Sequence, residues 1–256
     1  MTLVISSDSA NLGDNLGLTP LLNHVPCRLR LLDEEWMRYT APVFNDLCEI
    51  EWVKDRADLG SPRYADIPRP WSKRALVAYG FNDVPAIPKI KLSPAEIEDG
   101  RRWADYTSRS FGKPLCIIKA VPGRSAERAV PTEVIDRIVA ENDDIKFVTF
   151  TVGDNHPKAE MRSPRIKGVF EMLNLPIRAQ ASCYAAVGRY IGADTGDYHL
   201  MLATGGKADV LCPSHRPPYS WWLSHYGEDC WLDEAVRVSY QDMAGKLEEG
   251  VTGVRP

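Results

Sequence analysis

Residues 192–206, GADTGDYHLMLATGG, join the end of a predicted strand to a short helix of apolar and small residues. Asp194, Thr195 and Gly196 stand just ahead of that helix, and His199 lies in its first turn. Asp and Thr side chains commonly cap a helix by accepting hydrogen bonds from its first free N–H groups. The same N–H groups, with the positive end of the helix dipole, also form a natural phosphate site. From this stretch alone, the cap and the phosphate site both remain open.

The segments on either side of this stretch predict a parallel sheet. Residues 181–193, ASCYAAVGRYIGA, have the pattern of a helix running into a strand, and residues 207–214, KADVLCPS, form the next strand. Strands that alternate with helices are typical of parallel sheets with helices on both faces. The stretch therefore belongs to an α/β fold.

The same strand, loop and helix order appears in two further places. The first unit consists of TLVIS (2–6), the loop SDSANLGDNLG (7–17) and a helix beginning near LTPLLNHV (18–25). The second consists of PLCIIKAV (114–121), the loop PGRSAERAV (122–130) and the helix PTEVIDRIVAEN (131–142). Because the pattern restarts near residue 113, we predict two Rossmann-like domains, at 1–110 and 111–256, whose parallel sheets face a cleft.

The remaining segments fill in these two domains. Ser93, Pro94 and Glu96 predict a capped helix start with a capping box. Strands are expected at CRLRLLD (27–33), LCEIEWV (47–53) and IKFVTFTVG (145–153). Helices are expected near WSKRALVAYG (71–80), at GVFEML (168–173) and, with an amphipathic pattern, at DEAVRVSYQDMAGKLEEG (233–250).

The composition is that of an ordinary globular protein. The 256 residues are 44% hydrophobic and 26% charged, with a formal net charge of -4. This charge gives no overall basic field that would attract nucleic acid or an anionic membrane, so a small ligand is favoured. The sequence shows neither an apolar run long enough to cross a bilayer nor the pattern of a secretory signal, and we predict a cytoplasmic protein without stable membrane insertion.

The cysteine spacing offers one metal hypothesis. The six cysteines contain no C-x-x-C pair, so reduced thiols are expected. Residues Cys212, His215, His225 and Cys230 could in principle supply four zinc ligands. The short interval between the two pairs is filled by prolines and tryptophans, which disfavours this site. The sequence therefore predicts no metal.

Ligands of open parallel sheets bind at the carboxyl ends of the strands, in the loops that lead into helices. Candidate residues in three such loops are Gly13 and Asp14, Arg124 and Arg128, and Asp194, Thr195, Gly196 and His199. A carboxylate that faces arginines and helix N–H groups suits group transfer from a phosphate leaving group. Arginine binds phosphate through its planar fork.

Each candidate also has a structural interpretation. Asp14 follows a glycine and is equally suited to a turn or a cap. Arg124 and Arg128 fit solvated loop positions. His199 fits a buried structural histidine. The functional interpretation depends on the coincidence of all three loops at strand ends.

These motifs resemble the family 9 glycosyltransferases, which include the ADP-heptose:lipopolysaccharide heptosyltransferases. The family pattern D-[ST]-G-x-x-H is matched by Asp194, Thr195, Gly196 and His199. The G-D pair followed by T-P is matched by Gly13, Asp14, Thr19 and Pro20. The family's basic loop resembles the segment from Gly123 to Glu133, with Arg128 in place of lysine and Val130 in place of tryptophan.

The resemblance implies a GT-B fold and an inverting, metal-independent sugar transfer without a cofactor. Asp14 would be the catalytic base. The donor, a nucleotide-diphosphate sugar, would be held by Gly13, Arg124, Arg128, Asp194, Thr195, Gly196 and His199.

The acceptor is left open between a glycan, a small molecule and a hydroxylated DNA base. The basic segment RPWSKR (69–74), with Lys89 and Lys91, gives some support to DNA, although it equally fits a solvated face. Two alternatives to transfer remain: a noncatalytic sugar-nucleotide binding module and a sugar epimerase on the same scaffold.

Overall fold

The computed structural model describes residues 3–7, 12–59, 71–120, 129–154, 162, 165–212 and 235–239, with backbone alone at 71–74, 212 and 235–239. The strands are β1 (Leu3–Ser7), β2 (Cys27–Leu32), β3 (Glu49–Val53), β4 (Leu115–Lys119), β5 (Lys146–Thr151), β6 (Phe170–Leu173), β7 (Arg189–Ala193), β8 (Lys207–Cys212) and β9 (Ala235–Ser239). The helices are α1 (Leu12–Leu22), α2 (Glu35–Thr40), α3 (Trp71–Ala78), α4 (Pro94–Phe111), α5 (Thr132–Glu141), α6 (Ile177–Val187) and α7 (Gly196–Ala203). Short 3₁₀ turns lie at Ala41–Phe44 and Arg56–Leu59.

The described strands form two parallel sheets, as the alternation of strands and helices predicts. The first sheet has the order β1-β2-β3, and the second has the order β6-β5-β4-β7-β8-β9. Every strand pair in both sheets is parallel. The α/β fold with two Rossmann-like sheets is therefore confirmed.

The two faces of the first sheet differ in polarity. Ile5, Leu29 and Leu31 point to one face and are fully buried. On the other face, Arg28 pairs with Glu49 at 3.1 Å, and both side chains are partly exposed. Side chains alternate across a strand, so this pattern sets the register of the sheet against the core.

Both sheets contribute to a shared apolar core. One cluster of buried side chains includes Ile5 and Leu29 of the first sheet together with Ile117 and Val148 of the second. A smaller cluster, which includes Ile118 and Ile135, lies on the other face of the second sheet. The division at residue 110 stays a prediction.

The capping box at Ser93 is confirmed. Ser93 Oγ accepts from the backbone N–H of Glu96 at 3.3 Å, and Glu96 Oε2 accepts from the backbone N–H of Ser93 at 2.7 Å. Gly112 ends α4 in the left-handed conformation, with φ 65°.

Three expectations about elements are wrong. GVFEML (168–173) contains strand β6, not a helix, because Phe170–Leu173 pairs with β5 and forms an edge of the second sheet. Within the helix predicted at 233–250, Ala235–Ser239 instead forms β9 beside β8, and alternating valines favour that strand. The rest of that stretch lies outside the described residues. Finally, α1 begins at Leu12 rather than near residue 18, which places Gly13 and Asp14 inside the helix.

The described helices include none with the length and apolar character that a membrane crossing requires.

Candidate functional site

The starts of α1 and α7 meet, and glycine allows the contact on both sides. A Cβ added to Gly13 would lie 2.9 Å from Cδ2 of His199, and one added to Gly196 would lie 2.8 Å from Cβ of Leu12. Real Cβ atoms do not approach neighbours so closely. The fold thus brings the first and third predicted loops together.

Thr195 is the N-cap of α7. It has an extended backbone, and its Oγ1 accepts from the backbone N–H of Asp197 at 3.0 Å. Of the two candidate caps, Thr195 therefore fills the position, and Asp194 precedes it with 7% exposure. A capping hydroxyl and a helix-start phosphate site are compatible, because the cap satisfies only some of the first-turn N–H groups.

A buried polar network surrounds Asp197, which the sequence analysis missed. The Tyr184 hydroxyl donates to Asp197 Oδ1 at 2.7 Å, and Thr195 Oγ1 donates to Asp197 Oδ2 at 3.1 Å. Lys119 Nζ lies 3.9 Å from Oδ2, and the side chains of Lys119 and Asp197 are only 12% and 17% exposed. The network ties the start of α7 to α6 and to the end of β4.

The tyrosines at this site stay protonated. Burial, with the nearby Asp197 carboxylate as a further cause, raises the pKa of Tyr184 well above its usual value. Burial likewise raises the pKa of Tyr190, whose hydroxyl donates to the carbonyl of Ala193 at 2.6 Å. Both hydroxyls are therefore donors that hold the turn between β7 and α7.

Lys119 reaches the site because its strand runs beside Gly192. The two residues are register partners in β4 and β7, and a Cβ on Gly192 would lie 2.2 Å from the carbonyl oxygen of Lys119. Lys119 Nζ also donates to the carbonyl of Phe150 at 2.6 Å. The sequence signal was the single cation that ends the apolar strand LCIIK.

Asp14 occupies the first turn of α1 and is half-buried. An acid in this position interacts favourably with the helix dipole. It is also the next residue after Gly13, whose backbone packs against His199. Asp14 therefore lies beside the contact between the two helices.

His199 is 4% exposed, and the centroid of its ring lies 3.8 Å from that of Tyr198. Its contact with Gly13 places the histidine at the junction of the two helices. This position serves packing, and it equally allows His199 to support the loop before α7.

Several predicted residues cannot be placed. Arg124 and Arg128 lie outside the described residues, as do His215, His225 and Cys230 of the zinc hypothesis. In the part of the chain that the structure describes, no group of three or more His, Cys, Asp or Glu side chains is suited to a metal ion. Lys89 and Lys91 are exposed, and the segment 69–74 is described at most as backbone.

A scan against protein-family models finds no match, and no curated protein matches the sequence. Solved structures do match. A glycosyl transferase family 9 protein from Veillonella parvula superposes with a TM-score of 0.65 at 12% identity, covering 97% of this chain and 88% of that one. ADP-heptose LPS heptosyltransferase II of E. coli superposes with a TM-score of 0.59 at 14% identity, covering 97% of each chain.

A third neighbour is the dodecameric iron-containing glycosyltransferase TibC of enterotoxigenic E. coli, with a TM-score of 0.54 at 12% identity, covering 93% of this chain and 63% of that one. Likeness at such low identity concerns the fold. The resemblance drawn from the D-[ST]-G-x-x-H motif is thereby confirmed at that level, and the chain has the GT-B-type fold of the family 9 glycosyltransferases and heptosyltransferases.

Proposed function

We propose that this protein is an inverting glycosyltransferase that moves a sugar from a nucleotide-diphosphate sugar to an acceptor hydroxyl. The observation that carries the proposal is the meeting of the α1 and α7 starts, where Gly13 packs against His199 and Gly196 against Leu12. Asp14, the residue after Gly13 in the first turn of α1, supplies the proposed carboxylate beside this contact and the D-T-G-x-x-H motif. The GT-B-type fold supports the same chemistry.

In the proposed reaction Asp14 is the general base. It takes the proton of the acceptor hydroxyl while that oxygen attacks the anomeric carbon. The bond from this carbon to the diphosphate oxygen breaks on the opposite side, so the configuration inverts and a nucleoside diphosphate leaves. The start of α7 stabilises the charge that develops on the leaving group.

The proposed donor site combines backbone and side-chain groups. The first turn of α7 at Thr195 and Gly196 faces the diphosphate, with Asp194 and His199 supporting the turn and Gly13 giving close access. Arg124 and Arg128 complete the proposed cationic side. Lys119 offsets the Asp197 charge behind the helix start, which keeps this end of α7 favourable for an anion.

ADP-sugars are the first donors to test. The E. coli heptosyltransferase neighbours were solved with ADP and with ADP-2-deoxy-2-fluoro heptose. We propose that transfer by this chain needs neither metal nor cofactor. Because the TibC neighbour is iron-containing, activity should be measured with and without a chelator. The free thiols Cys27, Cys48, Cys116 and Cys183 fit the proposed cytoplasmic location.

Donor binding is tested by thermal shift with ADP-, GDP-, UDP- and CMP-sugars. A ligand that binds only the folded state raises its stability, so one nucleotide class should raise the Tm by a few degrees. His199→Ala should lose this shift, whereas Asp99→Asn, an exposed change on α4, should keep it. No shift with any donor would contradict the proposed site.

Transfer is tested by product analysis with glycan, small-molecule and hydroxymethylated DNA acceptors. Asp14→Asn should keep donor binding and lose transfer by about 100-fold or more. Donor binding without transfer by the wild type, unaffected by Asp14→Asn, would instead identify a noncatalytic binding module. An isomerised sugar nucleotide in the absence of acceptor would identify an epimerase.

A further inference from the structure

Two cysteines stand at the starts of adjacent strands of the first sheet. In the parallel pairing of β2 with β3, Arg28 is the partner of Glu49. Cys27 is the first residue of β2 and Cys48 directly precedes β3, so continuing this register by one residue sets the two cysteines opposite each other. Side chains alternate along a strand, and partners in register share a face. The two thiols therefore point to the same side of the sheet.

This spacing suits a disulfide. Neighbouring strands lie about 4.8 Å apart, and disulfides join Cα atoms separated by roughly 4.4–6.8 Å. The two thiols are close enough for each to shift the pKa of the other. Both cysteines are free thiols in the structure.

Solvent reaches the pair through Cys48. Cys27 is 5% exposed and belongs to the apolar core. Cys48 is partly exposed and lines an open surface cavity of about 710 Å³, whose walls include Asp46 and Arg178. A small thiol reagent would therefore meet Cys48 first.

The proximity of the two thiols changes their acidity. The hydrogen bond from Cys48 lowers the pKa of Cys27. The same bond raises the pKa of Cys48, because its proton is shared with the neighbouring sulfur. The pair thus loses a first proton more readily than a second.

We propose that Cys27 and Cys48 form a reversible intramolecular disulfide, and that low-molecular-weight disulfides of the glutathione class oxidise the pair through Cys48. This site goes beyond the proposed transferase activity and does not depend on it.

The reaction balances in two exchange steps. The Cys48 thiol passes its proton to the Cys27 thiolate as the Cys48 sulfur attacks one sulfur of oxidised glutathione, which forms a mixed disulfide and releases one glutathione thiolate. Cys27, once deprotonated again, attacks Cys48 Sγ, which forms the Cys27–Cys48 bond and releases the second glutathione. The protein loses two electrons and two protons, and oxidised glutathione gains them as two thiols.

The test uses the full reduced chain in glutathione buffers of increasing oxidation, quenched with acid and alkylated. Non-reducing peptide mapping should show a cross-linked peptide that contains Cys27 and Cys48, without glutathione on either residue. The oxidised protein should gain about 5 °C or more in Tm, because the bond closes the loop from 27 to 48. Reduction with dithiothreitol should reverse both changes.

The variants separate the two steps. Cys27→Ala should leave a stable glutathione adduct on Cys48, and Cys48→Ala should leave Cys27 unmodified, without a Tm gain in either variant. Cys183→Ala should still cross-link, because Cys183 is buried on α6 and is not part of the pair. If Cys27→Ala fails to fold, Cys48→Ala alone tests the site.

Two results would overturn the proposal. One is wild-type protein whose Cys27 and Cys48 remain free thiols in the most oxidised buffer. The other is a glutathione adduct on Cys48 that persists without forming the cross-link.

Discussion

Two helix pairs connect the earlier and later parts of the chain, and they are built differently. In the α4–α6 pair, backbone meets backbone: a Cβ on Gly100 would lie 2.1 Å from the carbonyl oxygen of Ser182. In the α1–α7 pair, the glycines meet side chains, His199 and Leu12, which can shift by small amounts. We therefore expect the α4–α6 pair to matter mainly for stability. The α1–α7 pair, whose helix starts carry polar residues, should matter also for ligand binding.

The α4–α6 contact should show the largest effect on stability. Ala in place of Gly inside a helix normally stabilises by about 0.5–1 kcal/mol. In Gly100→Ala the new methyl group would instead force α4 away from α6, and we expect a loss of about 3 kcal/mol in the free energy of unfolding. Urea denaturation measures this change.

The neighbouring position supplies the control for this change. Asp99 is exposed on the same helix, so Asp99→Ala should alter stability by at most about 0.5 kcal/mol. Equal stability of Gly100→Ala and wild type would show that the two helices tolerate a wider separation.

Substitutions at Asp197 test whether the polar network at the start of α7 contributes as much to the free energy of unfolding as the α4–α6 contact does. Asp197→Asn replaces one carboxylate oxygen by an NH₂ group, which cannot accept a hydrogen bond, so one of the bonds from Tyr184 and Thr195 is lost. It also removes the charge that faces Lys119. We expect a loss of about 2 kcal/mol. Tyr184→Phe removes a single hydrogen bond and should cost about 1 kcal/mol.

The double variant sharpens this result. Because Tyr184 and Asp197 share one hydrogen bond, Asp197→Asn combined with Tyr184→Phe should cost less than the sum of the single changes. Strict additivity in thermal or urea unfolding would mean that the two residues act independently.

Gly13 tests the side-chain contact of the α1–α7 pair. Gly13→Ala should displace the His199 ring at a cost of about 1 kcal/mol, less than Gly100→Ala because a ring moves more easily than a backbone. It should also abolish the Tm shift given by the nucleotide sugar. Thermal shift with and without ligand measures both effects.

Gly112→Ala is a control of similar cost. Gly112 has φ 65° and no atom near its missing Cβ, so the change strains the backbone by about 1 kcal/mol far from the site. It should keep the ligand-induced shift. Loss of that shift in both variants would mean that general destabilisation, rather than the helix contact, removes binding.

Local signals made much of this fold predictable. The capping box depends on Ser93 and Glu96, three residues apart, and Thr195 is followed at once by the helix that it caps. Alternation of strands and helices was enough to predict parallel sheets. These features depend on neighbours in the sequence, which a single sequence contains.

Long-range contacts made the rest unpredictable. Gly13 suggested a loop, whereas its small size is needed for the packing of His199 from the other end of the chain. Lys119, Tyr184 and Asp197 come from three different elements, and only the register of β4 with β7 brings them together. Phe170–Leu173 is a strand because of its partner β5, which local periodicity does not reveal.

The ion pair between Glu96 of α4 and Arg178 of α6 should have the smallest effect on stability. This effect should be visible in the pH dependence of unfolding. The Arg178 guanidinium lowers the pKa of Glu96 from the usual 4.5 to about 2. The unfolded chain therefore binds the proton more readily, and the ion pair stabilises the fold above about pH 4.5 and loses this contribution as the pH falls towards 2. Glu96→Gln keeps an oxygen for the capping box but removes the charge, so it should cost about 1 kcal/mol at pH 7.

The pH dependence checks this ion pair, and its response to salt distinguishes it from an ordinary surface pair. The difference between wild type and Glu96→Gln in urea denaturation should shrink steadily between pH 4.5 and 2. The side chain of Glu98 is more exposed than that of Glu96, 38% against 27%, and its pKa is also lowered to about 2, by Arg101 and Arg102. Salt screens exposed charges strongly, so about 0.5 M NaCl should remove the effect of Glu98→Gln while leaving most of that of Glu96→Gln. If salt removed both equally, the Glu96–Arg178 pair would contribute no more than a surface contact.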